Sequence, residues 1–211
     1  MPRLRSDLRE QVLGETRRRL LEAAAAEFAR EGYASANINR ISLAAGLAKG
    51  TIYNYVASKQ ALMLGLVDEV AAAHTDFILG QVQAEQDPVR RLERFFEAGF
   101  AFVEQHPPQA RVIIQVLYGP DGEVRAHVYQ AYERLLTSIM HDIVEAGVAQ
   151  GSFRPVDADL AAAMVMSVYL GGCSQLEPDG RIWLDPGQVA GLILDGLRPR
   201  ENGSAPATRG R

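Results

Sequence analysis

The 211-residue sequence contains a single cysteine, Cys173, only two lysines, Lys49 and Lys59, and one tryptophan, Trp183. One cysteine permits neither an intramolecular disulfide nor a multi-thiolate metal site, and with no oxidising framework the chain reads as cytoplasmic. A long hydrophobic run is also missing. The longest uncharged stretch, residues 160–176, is interrupted by Ser167, Gly171, Gly172, Ser174 and Gln175, so no membrane partner is expected. The N-terminus, Met1-Pro2-Arg3-Leu4-Arg5-Ser6-Asp7, lacks the apolar core of a secretory signal. There is no phosphate-binding loop, dinucleotide fingerprint, zinc-protease motif or nucleophile elbow, so no catalytic residue, cofactor or metal is assigned. His141 and Glu145 are four apart and could share a metal, but such a pair reads more simply as a surface hydrogen bond.

What is present is an ordinary globular composition, 47% hydrophobic and 23% charged, with a net charge of −4 that is unevenly spread. Residues 1–60 hold ten Lys and Arg against six Asp and Glu, a net +4. Residues 61–211 hold twelve against twenty, a net −8. Both lysines fall in the basic part, which allows a nucleic-acid-binding front on an acidic body.

Nearly every segment has helical spacing and none alternates like a strand, so the fold class is all-α, with about nine helices. Residues 1–14 read as a flexible basic arm, in which Arg3, Arg5 and Arg9 could reach a minor groove. Leu21, Ala24, Ala25 and Phe28 form the stripe of a first helix at 15–31, with Arg17, Arg18, Glu22 and Glu27 off it; Gly32 stops it. Asn37 caps a short second helix, 38–45, ended by Gly46; a third runs over 48–55, and Ser58 caps a fourth, linking helix at 59–83. The helix-turn-helix domain thus covers 15–62. Beyond Asp87-Pro88, helices at 89–106, 109–117, 122–150, 158–176 and 186–197 make an effector-binding and dimerisation bundle over 84–198. The tail, 199–211, has no apolar face and reads as disordered.

Ser42, Gly46 and Ile52 have the spacing of two crossed helices with a glycine turn between them. With Ile52, Tyr55 and Val56 facing inward, Lys49, Gly50, Thr51, Tyr53 and Asn54 face out, where they could touch phosphates or base edges. Asn37, Arg40 and Lys59, near the starts of the flanking helices, would hold the DNA backbone. The stretch 32–62, GYASANINRISLAAGLAKGTIYNYVASKQAL, resembles the N-terminal domain of TetR/AcrR-family (tetracycline-repressor-like) transcriptional regulators. The resemblance implies a homodimer that binds a palindromic double-stranded DNA operator and is released by a small-molecule effector. It also implies pairing of the last two long helices with their symmetry mates. Three positions depart from the family pattern: Ala36 stands where Thr or Ser is usual, Ala48 replaces the capping Ser of the third helix, and Val56 replaces Phe.

The C-terminal part is rich in aromatics. Phe96, Phe100, Val103, Ile114, Leu117, Tyr118, Tyr132, Met166 and Tyr169 are the candidate lining of an apolar effector pocket, with Arg111, Gln115, His127 and His141 as polar contacts. The 59–83 helix is the natural lever between pocket and head. A DNA-binding regulator controlled by a protein partner or by abundance, without an inducer, stays open, as does the more remote reading of a helical enzyme.

Overall fold

A computed structural model describes residues 2–199. The order is α1 Pro2–Ser35, α2 Ile38–Ala44, a 3₁₀ turn Thr51–Asn54, α3 Lys59–Val82, α4 Pro88–Gln105 and α5 Pro107–Tyr118. Then follow α6 Gly122–Ala131, α7 Glu133–Ser138, a π-helical segment Ile139–Glu145, α8 Ala146–Ala149, α9 Ala158–Cys173 and α10 Pro186–Leu197. No strand forms among the described residues; Leu176 and Ile182 make one isolated antiparallel bridge. The chain is all-α, as its periodicity implies.

The starts of these helices follow from their caps. The side chains of Asn37, Ser58, Asp87, Asp121, Asp157 and Asp185 each accept a backbone N–H of the first turn beyond them. Pro88, Pro107 and Pro186 sit in first turns, where a missing N–H costs nothing. The sequence reading differs from the structure at three elements. α1 begins at Pro2, not at 15, so the stretch assigned to an arm is helical backbone; its run of Arg, Glu and Leu carries the helix across Gly14. The side chains of Arg3, Arg5 and Arg9, and the tail beyond residue 199, lie outside the described residues. The expected third helix shrinks to a single 3₁₀ turn. It starts from Gly50 in the left-handed region (φ 83°), has no side-chain cap, and continues with β-branched Thr51 and Ile52. The expected helix over 122–150 is broken at Tyr132 and loosened into π geometry from Ile139; the guanidinium of Arg91 donates to the Asp142 carbonyl there at 2.8 Å.

Two cores hold these helices. The first gathers Leu20, Leu21, Ala24, Phe28, Ile41 and Ile52 around Leu62, Met63 and Leu66 of α3. It is not closed by the head alone: Val112, Ile113 and Val116 of α5 and Val124 and Val128 of α6 complete it. The second core fills the body with Phe95, Phe96, Phe100, Ile143, Phe153, Val165 and Tyr169. Close approach there depends on glycine. A Cβ at Gly99 would lie 2.4 Å from the Tyr169 ring, and one at Gly172 would lie 2.5 Å from the Phe100 ring.

Candidate DNA-reading head and effector cavity

In the head, Ile52 is fully buried and pins the 3₁₀ turn to the core, while Lys49, Gly50, Tyr53 and Asn54 are exposed and Thr51 is half-buried. The outward set therefore shares one face. Tyr55 does not turn inward as expected; it is 38% exposed, because the turn ends at Asn54 and Tyr55 follows it at φ −111°, outside the repeat that buries Ile52. The Ser42 hydroxyl, completely buried, donates to the Ala48 carbonyl at 2.9 Å and fixes the connecting loop. Gly46, at φ 76°, makes the turn that side chains resist.

The flanking cations are tied into the protein. Lys59 donates to the carbonyls of Ala34 (2.8 Å) and Ala36 (3.0 Å), and its ammonium lies 5.1 Å from the Tyr33 ring centroid. Two of its three N–H donors thus close the end of α1. Arg40 lies 3.7 Å from both Glu27 and Glu31. Asn37 caps α2 at 2.9 Å, and its own N–H donates to Glu27 at 3.2 Å. Glu27, placed off the apolar stripe in the sequence reading, is buried (5% exposed) and collects Arg30, Arg40 and the Asn37 amide. It joins α1 to α2, a role helical periodicity does not reveal.

In the body, a cavity of about 90 Å³ opens between α3, α4, α5, α6, α7 and α9. Val103, Ile114, Leu117, Tyr132, Met166 and Tyr169 line it as expected. Phe96 and Phe100 do not, because their rings are spent in the core against Phe95 and Tyr169. Tyr118 is also outside it, 68% exposed at the end of α5. Phe102, an aromatic of the same helix as Phe96 and Phe100, lines it in their place, and the sequence reading missed Val70 and His74 of α3, Leu135 and Leu136 of α7, and Leu170 and Cys173 of α9. The four proposed polar contacts are engaged elsewhere. Arg111 donates to the Glu177 carbonyl, Gln115 to the Ala29 carbonyl, His127 pairs with Asp68, and His141 pairs with Glu145 at 2.7 Å. That last contact raises the His141 pKa, chiefly through the hydrogen bond to Glu145. Among the described residues, no group of three or more His, Cys, Asp or Glu is placed to hold a metal.

The polar centre of the cavity is His74. Its Nδ1 lies 3.1 Å from the Tyr132 hydroxyl and its Nε2 lies 2.7 Å from the Tyr169 hydroxyl, while its ring stacks on Phe102 at 4.5 Å. Burial, with a smaller contribution from His106, pushes its pKa down to about 3, so the imidazole is neutral. Burial raises the Tyr132 and Tyr169 hydroxyls well above the ordinary phenol value and the Cys173 thiol to about 12. No lining side chain carries charge. The signal that could have found this centre was a lone histidine at i+4 from Val70 and i−4 from Ile78, on the apolar face of the linking helix.

The two cores and the cavity share elements. α3 places Leu62, Met63 and Leu66 in the head core and Val70 and His74 at the cavity. α5 does the same with Val112 and Val116 on one side, Ile114 and Leu117 on the other, and Ile113 in both.

Known proteins agree with this arrangement. Residues 20–66 match the family model "Bacterial regulatory proteins, tetR family", and residues 85–195 match "Tetracyclin repressor-like, C-terminal domain". The chain is 28% identical to the HTH-type transcriptional repressor KstR2 of Mycobacterium tuberculosis, over 89% of this chain and 97% of that one. The fatty acid degradation regulator FadR from Bacillus halodurans superposes with a TM-score of 0.77 at 25% identity, covering 88% of this chain and 97% of that one. AibR, solved with isovaleryl coenzyme A and operator DNA, superposes with a TM-score of 0.69 at 24% identity, covering 87% and 98%.

Proposed function

Because the chain belongs to the tetR family of bacterial regulatory proteins, we propose that it is a transcriptional repressor whose head reads an operator and whose cavity takes the releasing effector. The observation that carries this reading is the shared use of α3 and α5: both pack the head core on one side and line the cavity on the other. An effector that needs more room between them shifts the tilt of the head. Such couplings are typically about 1–3 kcal/mol. A palindromic operator calls for two heads, so the working form is a homodimer. The protein acts as a regulator rather than an enzyme, and works in the cytoplasm where its operator lies. Lys49, Thr51, Tyr53 and Asn54 read or grip the operator, with Gly50 allowing close approach of backbone, and Asn37 and Arg40 flanking them.

The cavity suits the apolar part of an effector. KstR2 is a repressor by name, and AibR was solved with an acyl thioester; an apolar cavity of about 90 Å³ is on the scale of a short acyl group. Fluorescence anisotropy on DNA flanking the gene, with isovaleryl coenzyme A titrated in, tests this reading. Release of the DNA at saturating thioester is the expected result. If thioesters of four to eight acyl carbons all leave binding unchanged, control by a protein partner or by abundance takes its place.

A further inference from the structure

The hydroxyls around His74 hold one more proton than their mutual hydrogen bonds use. A neutral imidazole has one N–H and one bare nitrogen, and each tyrosine brings one O–H. Three protons therefore serve two links, Tyr132 to Nδ1 and Tyr169 to Nε2. The 2.7 Å link suits Tyr169 O–H donating to bare Nε2, and the 3.1 Å link suits Nδ1–H donating to the Tyr132 oxygen. The surplus proton is then that of the Tyr132 hydroxyl. In the opposite tautomer Tyr169 would have to turn its own proton to the neighbouring Cys173 sulfur, a weak acceptor.

From this balance we infer that the Tyr132 hydroxyl is the specificity donor of the cavity: it selects an effector with an apolar group and one uncharged oxygen acceptor, such as the carbonyl of a ketone, ester or thioester. His74 and Tyr169 act as positioning residues that hold Tyr132 in its donor role. A carboxylate is excluded, because no lining side chain offers a cation to balance it in an apolar site. An alkane fits the walls but leaves the hydroxyl unpaired. The inference rests on the cavity being the effector site.

Its test uses pentan-2-one and 2-methylpentane, in which a methyl group replaces the oxygen, with dissociation constants from NMR titration of the whole protein and of Tyr132→Phe. The variant should bind the ketone at least about fivefold more weakly and the alkane no more weakly than wild type does. Equal changes for the two probes would overturn the inference while leaving the cavity as a binding site. If wild type binds neither probe, the effector-site reading fails and the inference fails with it. A second measurement needs no variant. The carbonyl stretch of pentan-2-one bound to wild type should fall below its frequency in hexane, and a stretch at the hexane value would overturn the donor role.

Discussion

At the residue scale, the structure gives Lys59 and His74 contacts that their places in the sequence do not reveal. Lys59 was legible as a cation at the start of a helix, but not as a clamp, because its partners, the carbonyls of Ala34 and Ala36, lie more than twenty positions back in the chain. Lys59→Ala should therefore lower stability by about 1–2 kcal/mol, less than for a fully buried charged pair since the side chain is half-exposed. The salt dependence of DNA binding should barely change. A salt slope reduced by about 1 with an unaltered denaturation midpoint would show a phosphate contact instead. His74 was legible as a lone histidine on an apolar stripe but not as the centre of a site, since only the meeting of α3 and α9 with Tyr132 at the α6–α7 junction brings the hydroxyls to it. Its folded pKa of about 3 lies below the unfolded value of 6.5, so between these values the unfolded chain binds a proton that the folded chain does not. Stability from this group is whole above pH 6.5 and is lost as pH falls toward 3, at up to about 1.4 kcal/mol per pH unit. His74→Gln should take up about one proton fewer than wild type on unfolding near pH 5, measured by calorimetry in buffers of different ionisation enthalpy. Equal uptake would mean that His74 is charged in the fold.

At the element scale, the helices themselves could be read from caps, prolines and periodicity, while the reading element could not. The 48–55 segment has the spacing of the motif but lacks what starts a helix: Ala48 has no capping oxygen, and Gly50 adopts φ 83° before a β-branched pair. A single 3₁₀ turn held by Ile52 is the result, and Tyr55 stays outside. Ala48→Ser should supply the missing acceptor to the first turn and stabilise the head by about 0.5–2 kcal/mol, with a gain in helical circular dichroism. An unchanged denaturation midpoint and spectrum would assign the short turn to Gly50 rather than to the absent cap. The cavity shows the complementary limit of sequence reading. Phe96, Phe100 and Phe102 share one helix, yet which of them faces a void depends on Gly99 and Gly172 admitting the Tyr169 and Phe100 rings, and that pairing crosses from α4 to α9. Composition named the aromatic helix, and packing chose Phe102 from it.

At the scale of the whole molecule, the +4 and −8 parts of the sequence correspond to a head and a body joined through the first of the two cores, so the charge boundary is not a mechanical one. The body also leaves apolar surface uncovered. The inner face of α9 packs Ala162, Val165, Tyr169 and Cys173 into the core, but its outer face presents Leu160, Met164 and Val168 to solvent. α10 buries Ala190, Leu194 and Leu197, and leaves Leu192 at 77% exposure. Leu197 thus belongs to the monomer's own core. A helix apolar on both faces is stable when both are covered, and an exposed apolar patch of this kind marks an interface. The homodimer proposed above would meet the requirement: a twofold axis at α9 and α10 would set each patch against its own likeness and bring two heads to one DNA. Met164→Glu combined with Leu192→Glu should leave the helical spectrum and the His74 proton signature intact while sedimentation shows one chain in place of two. Operator affinity should fall to that of a single head on nonspecific DNA, with Kd of roughly 10⁻⁴–10⁻⁶ M at physiological salt. A variant that still sediments as two chains would move the interface elsewhere. One that is monomeric yet holds its operator affinity would show that a single head suffices, and the lever through α3 and α5 would then act on one head's grip rather than on the spacing of two.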